Sequence, residues 1–163
     1  MDLTFSLPEG VFNIRVSAVL LHDGKLLMMK DERSPYFYLP GGRVHLHESF
    51  EDAIRRECRE ELEIEATIIR PLWLVQSMFT EDVSGQRYHE LCCYFLIEPD
   101  HALLSRGRSF LHREREHRQV FSWLPLERLS DEYLYPLFLK TRIFALPESL
   151  ELLYENEDAY ETE

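Results

Sequence analysis

Three carboxylates fall where a helix normally keeps its apolar stripe, and this constrains the chain more than any other feature. The segment is Arg56-Glu57-Cys58-Arg59-Glu60-Glu61-Leu62-Glu63-Ile64, preceded by Gly42-Arg43-Val44-His45-Leu46-His47-Glu48. Ser49 and Asp52 form an S-x-x-D capping box, which places the start of a helix near Ser49. At about 100° per residue, Phe50, Ala53, Ile54, Cys58 and Leu62 share one broad face. Glu57 and Glu61 project into that face, and Glu60 lies on its flank. Two carboxylates one turn apart repel, and burying them unpaired costs several kcal/mol, so a cation is expected between them. With no His or Cys at ligand spacing, the hard oxygen donors favour Mg²⁺ or Mn²⁺ over zinc. Arg56 and Arg59 point to other faces of the helix and are not expected to neutralise both acids. A surface helix laced with salt bridges is the plainer alternative, and it leaves the carboxylates on the apolar face unexplained.

These residues resemble the Nudix box, G-x5-E-x7-R-E-U-x-E-E-x-G-U, where U is apolar. Gly42, Glu48, Arg56, Glu57, Glu60, Glu61 and Ile64 match position by position, and Cys58 takes the first apolar slot. Glu63 departs from the pattern, standing where the family has Gly. The resemblance implies a hydrolase that cleaves a phosphoanhydride in a nucleoside diphosphate linked to another moiety. It implies that Glu57, Glu60 and Glu61 ligate the divalent ions with a backbone carbonyl of the Gly41-Gly42 turn. Arg56 would orient Glu57, and Glu48 would hold the loop. The loop before Trp123 often supplies one more acid in this family; Glu116 is the first choice there and Glu114 the second. A module that keeps the fold and senses a nucleotide without turning it over is the alternative function, but it has no need to keep Arg56, Glu57, Glu60 and Glu61 together.

Outside the box, Tyr36, Phe37 and Tyr38 are candidates to stack on a nucleobase, since every base offers a π face. Arg113, Arg115 and Arg118 are candidates for phosphate oxygens. His45 and His47 read as exposed loop residues, and His89-Glu90 receives no role. Cys58 reads as core rather than nucleophile, since no His pattern accompanies it. Cys92 and Cys93 are adjacent on a strand and point to opposite faces, which argues against a disulfide framework.

The chain has 163 residues and 45% hydrophobic content, enough for one domain with a core. Its formal charge of −12 argues against nucleic-acid backbones as partners and for a small anionic substrate met through bound cations. No apolar run is long enough for a membrane span, and the first residues lack a secretory pattern, so a cytoplasmic protein is expected. The resemblance also implies a homodimer.

The expected architecture is α/β: an α/β/α sandwich with a mixed sheet, as the resemblance implies. Strands are expected over 11–21 and 25–30 around an Asp23-Gly24 turn, and the two are expected to open one mixed sheet. A long hairpin is expected from 67–79 and 88–97, a loop over 99–112, a short strand over 119–124, and a helix from Ser130 to about Ala145 interrupted at Pro136. Residues 1–147 form the expected domain. Residues 148–163 hold seven acids and no Lys or Arg, and read as an acidic tail that is either frayed or docked as a helix.

Overall fold

The computed structural model describes residues 1–160. The strands are β1 (Thr4–Leu7), β2 (Gly10–Val19), β3 (Leu21–His22), β4 (Lys25–Asp31) and β5 (Gly41–Arg43), then, after the helix α1 (Phe50–Glu57), β6 (Thr67–Thr80) and β7 (Arg87–Glu98). The short helix α2 (His101–Leu104) leads to β8 (Ser109–Glu114) and β9 (His117–Pro125), and α3 (Leu139–Arg142) precedes β10 (Glu151–Asn156). The class is α/β with a mixed sheet. One six-stranded sheet runs β1-β2-β7-β6-β10, with β5 paired to β2, and a four-stranded sheet runs β3-β4-β9-β8. Pairing is parallel between β2 and β7 and between β6 and β10, and antiparallel elsewhere in the sheets.

Alternation along the strands divides the core in two. Val16, Ala18, Cys93 and Phe95 face α1, whose Ala53 and Ile54 are fully buried, while Val19, Trp73, Val75 and Tyr94 face Phe138 and Leu139 at α3. Cys92 and Cys93 go to opposite clusters, and all three cysteines are free and buried. Among the described residues no helix is long and apolar enough to cross a membrane.

Four expectations need correction. The Asp23-Gly24 turn is real, with φ of 48° and 69°, but it joins β3 to β4 while β2 pairs in the other sheet. The two expected strands therefore open two sheets rather than one. The expected loop over 99–112 contains α2, capped by Asp100 through a 2.7 Å bond from the Leu103 N–H, and most of β8. The expected helix after Ser130 is reduced to a 3₁₀ turn at Leu126–Asp131 and the four residues of α3, on either side of Pro136, which has no N–H for a helical bond. The acidic tail docks as a strand rather than a helix. Residues Glu151–Asn156 pair in parallel with Trp73–Met78, and Leu153 is buried in the core. Leu152 and Tyr154 alternate outward, the period-2 pattern of a strand.

The hairpin of β6 and β7 has its expected place, with register shifts on either side of Pro71, the position where a residue without an N–H interrupts the ladder. The box helix also starts as expected: Ser49 Oγ accepts from the Asp52 N–H at 3.0 Å. After Glu57 it widens into a π turn over Cys58–Leu62 and ends at Glu63, which adopts φ 56°, ψ 38°. A left-handed conformation costs a non-Gly residue about 1–2 kcal/mol, against about 0.5–1 kcal/mol of extra chain entropy that Gly loses on folding. Glu63→Gly is therefore expected to stabilise the fold by up to about 1 kcal/mol. Its urea midpoint should rise; a fall would mean that the Glu63 side chain, which reaches Arg106 only at 4.0 Å, contributes more than this accounting allows.

Candidate active site

The π turn and the Gly41-Gly42 strand bring the acids together. Glu57 and Glu61 are 8% and 5% exposed, whereas Glu60 is open to solvent. Arg56 organises one side of the group. Its Nε and Nη2 donate to the two oxygens of Glu48 at 2.8 and 3.0 Å, Nη2 also donates to the Arg43 carbonyl at 2.9 Å, and Nη1 donates to Glu57 at 2.8 Å and Glu60 at 3.3 Å. Arg56 thus does partner Glu57, through a bent reach between sequence neighbours that a helical wheel does not anticipate. Glu48 also accepts from the His45 N–H at 3.0 Å, which ties the loop down. Arg59 turns away to Glu65.

Gly42 passes directly under Glu57. A Cβ on Gly42 would lie 2.2 Å from Glu57 Oε1, and one on Gly41 would lie 2.1 Å from the Val16 carbonyl oxygen. The approach to backbone at Gly41 requires glycine, and the approach at Gly42 requires it if Glu57 is to keep this position.

The electrostatics set Glu61 apart. The Arg56 hydrogen bonds hold Glu48 below its ordinary value. Burial pushes Glu57 above its ordinary value despite Arg56, and burial together with Glu57 and Glu114 pushes Glu61 well above. Among the described residues the buried Glu61 Oε2 has no hydrogen-bond partner. A buried acceptor without a donor and two acids disfavoured as anions form a donor set that suits a hard divalent cation. Among the described residues no group of three or more His, Cys, Asp or Glu is already drawn together as a metal site. In this arrangement the Arg56 guanidinium holds oxygens of Glu57 and Glu60.

Glu61 opens onto a cavity of about 740 Å³ that also receives Glu114, Gln119, Arg15, Arg43 and Tyr38. Gln119 Nε2 donates to Glu114 at 3.3 Å. Of the two loop acids, the one that lines the cavity is Glu114. Arg115 turns the β8–β9 hairpin with φ 55°, leaving Glu116 exposed at the tip while Glu114, on β8, points into the cavity beside Glu61. Arg113 and Arg115 are exposed and do not line the cavity. Tyr36 lines the cavity, and its hydroxyl donates to Glu81 at 2.8 Å. Phe37 does not line it: it packs into the core with Lys30 Nζ 4.1 Å from its ring centre. His45 and His47 lie outside the cavity lining.

The arginines that do face the cavity are Arg15 and Arg43, with Arg33 at its edge, where Asp31 holds it by a 2.7 Å bond. Arg15 carried a legible signal. Asn13, Arg15 and Ser17 alternate with Ile14, Val16 and Ala18, so one face of β2 is polar although the strand lies mid-sheet. Glu90 on the neighbouring β7 lines the cavity in the same way.

The family model for the NUDIX domain matches residues 11–141. Among solved structures, the chain is similar to a MutT NUDIX hydrolase from Burkholderia pseudomallei, at 24% identity over 81% of this chain and 94% of that one, with a TM-score of 0.50. It is similar to the MutT protein from Methanosarcina mazei Go1 at 24% identity over 83% of this chain and 91% of that one, with a TM-score of 0.53. A mutator MutT protein from Bacillus halodurans shares 12% identity over 90% of this chain and 92% of that one, with a TM-score of 0.59. No curated protein matches. At these identities the structural likenesses speak for the fold, and the family model speaks for the family. With the box helix, its glycine cradle and the domain match over most of its length, the chain belongs to the NUDIX family, whose chemistry is the hydrolysis of phosphoanhydride bonds.

Proposed function

We propose that this chain hydrolyses a phosphoanhydride in a nucleoside diphosphate linked to another group, with Mg²⁺ or Mn²⁺ as the required ion. The observation that carries this reading is the buried Glu57–Glu61 pair, in which Glu61 Oε2 lacks a hydrogen-bond partner among the described residues while Glu61 borders the cavity. Glu57, Glu60 and Glu61 would hold the ion, with a carbonyl of the Gly41-Gly42 turn and with Glu114 from across the cavity. When bound, the divalent ion supplies positive charge against the phosphates and acidifies water.

The protein's own residues do the rest. Arg56, itself fixed by Glu48, holds the Glu57 carboxylate over Gly42, so this one donor is positioned before substrate arrives. Arg15 and Arg43 face the cavity and can take phosphate oxygens, where a guanidinium offers paired N–H donors. Glu114 is positioned by the Gln119 amide rather than by a salt bridge, which leaves its charge available to a cation.

A panel of nucleoside diphosphate sugars, ADP-ribose, dinucleoside polyphosphates, (d)NTPs and capped or triphosphorylated RNA, each with Mg²⁺ and Mn²⁺, tests the proposal. Turnover of at least one member that stops in excess EDTA is expected; turnover indifferent to EDTA would sink it. On the best substrate Glu114→Gln should cost about 10- to 100-fold in kcat/KM, as loss of a group that supports a metal site does. Glu116→Gln should stay near the wild-type rate. Equal, undiminished rates in both would show that this hairpin supplies no ligand.

A further inference from the structure

The cavity continues beyond the acidic cluster to an end built by a segment outside the matched domain. Strand β10 pairs with β6 over six residues, and the 3₁₀ turn that follows it carries Glu157 into the cavity wall. The Leu137 N–H donates to Glu157 Oε1 at 3.3 Å, which joins this segment to the Tyr135-Pro136 wall. Tyr135 and Tyr133 both donate to Asp82 Oδ2, the former at 2.8 Å, so the tip of the β6–β7 hairpin is tied to the same wall. Facing it, Phe79 and Tyr88 stack across strands with ring centres 5.2 Å apart and planes 17° from parallel.

The two ends of the cavity therefore differ in chemistry. Toward Glu61 stand Arg15 and Arg43, which suit phosphate. Away from it, beside the Glu157 segment, stand Phe79, Tyr88 and Tyr135 with the carboxylates of Asp82 and Glu157. A flat ring that stacks and offers N–H donors fits the aromatic end, since an ionised carboxylate only accepts. A carbonyl presented there meets another acceptor.

We propose that Glu157 is a specificity-determining residue that accepts a hydrogen bond from the exocyclic amine of a nucleobase lying against Tyr88 and Tyr135, so that amino-bearing bases are preferred to uracil and thymine. This rests on the reading of the site as a nucleotide hydrolase. It also makes residues 151–158 part of the substrate site, although the domain expected from the sequence ends at residue 147.

The test is calorimetric titration of the full chain with cytidine 5′-monophosphate and uridine 5′-monophosphate in EDTA at pH 8. These ligands have no phosphoanhydride to cleave, and the pH lies above the value of about 7 to which burial pushes Glu157, so its carboxylate only accepts. The wild type should bind the cytidine nucleotide at least about tenfold more tightly, the order expected when a buried polar group is left unpaired. Glu157→Gln presents a donor and an acceptor and can pair with either base, so its preference should shrink to under about threefold. A urea midpoint near wild type establishes that the variant is folded. Equal affinities in the wild type, no binding of either nucleotide, or a preference unchanged in Glu157→Gln would overturn the proposal. Base preference without any phosphoanhydride hydrolysis would sink the hydrolase reading and leave this one standing, whereas metal-dependent hydrolysis with equal affinities would do the reverse.

Discussion

Glu61→Gln is expected to lower kcat by about 10²- to 10³-fold, the range seen when one preorganised electrostatic contact to a transition state is removed. The same change should leave the metal-free protein as stable as the wild type or more so. Burial and the neighbouring Glu57 and Glu114 hold Glu61 well above the ordinary carboxylate range. With its folded value raised, ionisation of Glu61 at neutral pH works against the fold, and that cost is removed in the amide. Glu57→Gln should lose as much activity but gain less stability, because burial raises Glu57 less far while Arg56 Nη1, which meets its carboxylate at 2.8 Å, offsets part of that cost. The difference in size separates a carboxylate kept for chemistry from one that also has a partner in the fold. Added Mg²⁺ sharpens the contrast: a ligand that binds only the native state raises its stability, so the urea midpoint should climb with Mg²⁺ in the wild type and stay flat in Glu61→Gln. A Glu61→Gln enzyme of wild-type rate, or one whose midpoint tracks Mg²⁺ as the wild type does, would remove Glu61 from the site.

That contrast also marks which parts of the molecule are legible in the sequence. The box helix is legible because two independent signals agree: the cap at Ser49, and the apolar spacing of Ala53, Ile54, Cys58 and Leu62, all of which are buried. Glu63 is legible for a related reason, since the buried Ile64 requires a turn there and the backbone takes the left-handed form that Gly would favour. Strand β8 is not legible. Its half-buried residues His112 and Glu114 are polar, and its outward Leu111 is exposed, so the alternation of apolar residues is inverted over half its length. Without β8 there is no hairpin, and without the hairpin the choice between Glu114 and Glu116 has no geometric basis.

Strand β10 fails differently. Leu153 is its one side chain in the core, and its pairing with β6 is parallel and some eighty residues distant in sequence, so nothing local announces it. The same holds for Arg113 and Arg115. They resemble phosphate ligands by type and by nearness to an acid, yet both are exposed at the turn, while Arg15, on a strand expected for its apolar face, lines the cavity. Charge in a loop is a poor guide because a loop has no face. Charge on a strand in mid-sheet is a better one, because the alternation fixes which side it takes.

Gly42→Ala is expected to lower kcat by about 10²-fold with only a small change in the urea midpoint, since displacing a catalytic group by about 1 Å costs that much. The added methyl would lie 2.2 Å from Glu57 Oε1, 2.5 Å from Cδ and 2.8 Å from Oε2. Those are the far atoms of a side chain with free torsions, so the clash is relieved by swinging the carboxylate rather than by moving backbone. The fold survives, and the donor set does not. Arg56 resists the swing, because Glu48, the Arg43 carbonyl and Glu60 hold the guanidinium in place. Glu57 must then give up its bond to Arg56 or its place over Gly42. Gly41→Ala supplies the counterexample: its methyl would meet the Val16 carbonyl oxygen at 2.1 Å and Ser17 Cα at 2.9 Å, both backbone, so that variant should lose stability before it can be assayed. Adjacent glycines with the same substitution should fail in different ways, one in kcat and one in folding. A Gly42→Ala enzyme with wild-type kcat would mean that Glu57 does its work from somewhere other than the position over Gly42.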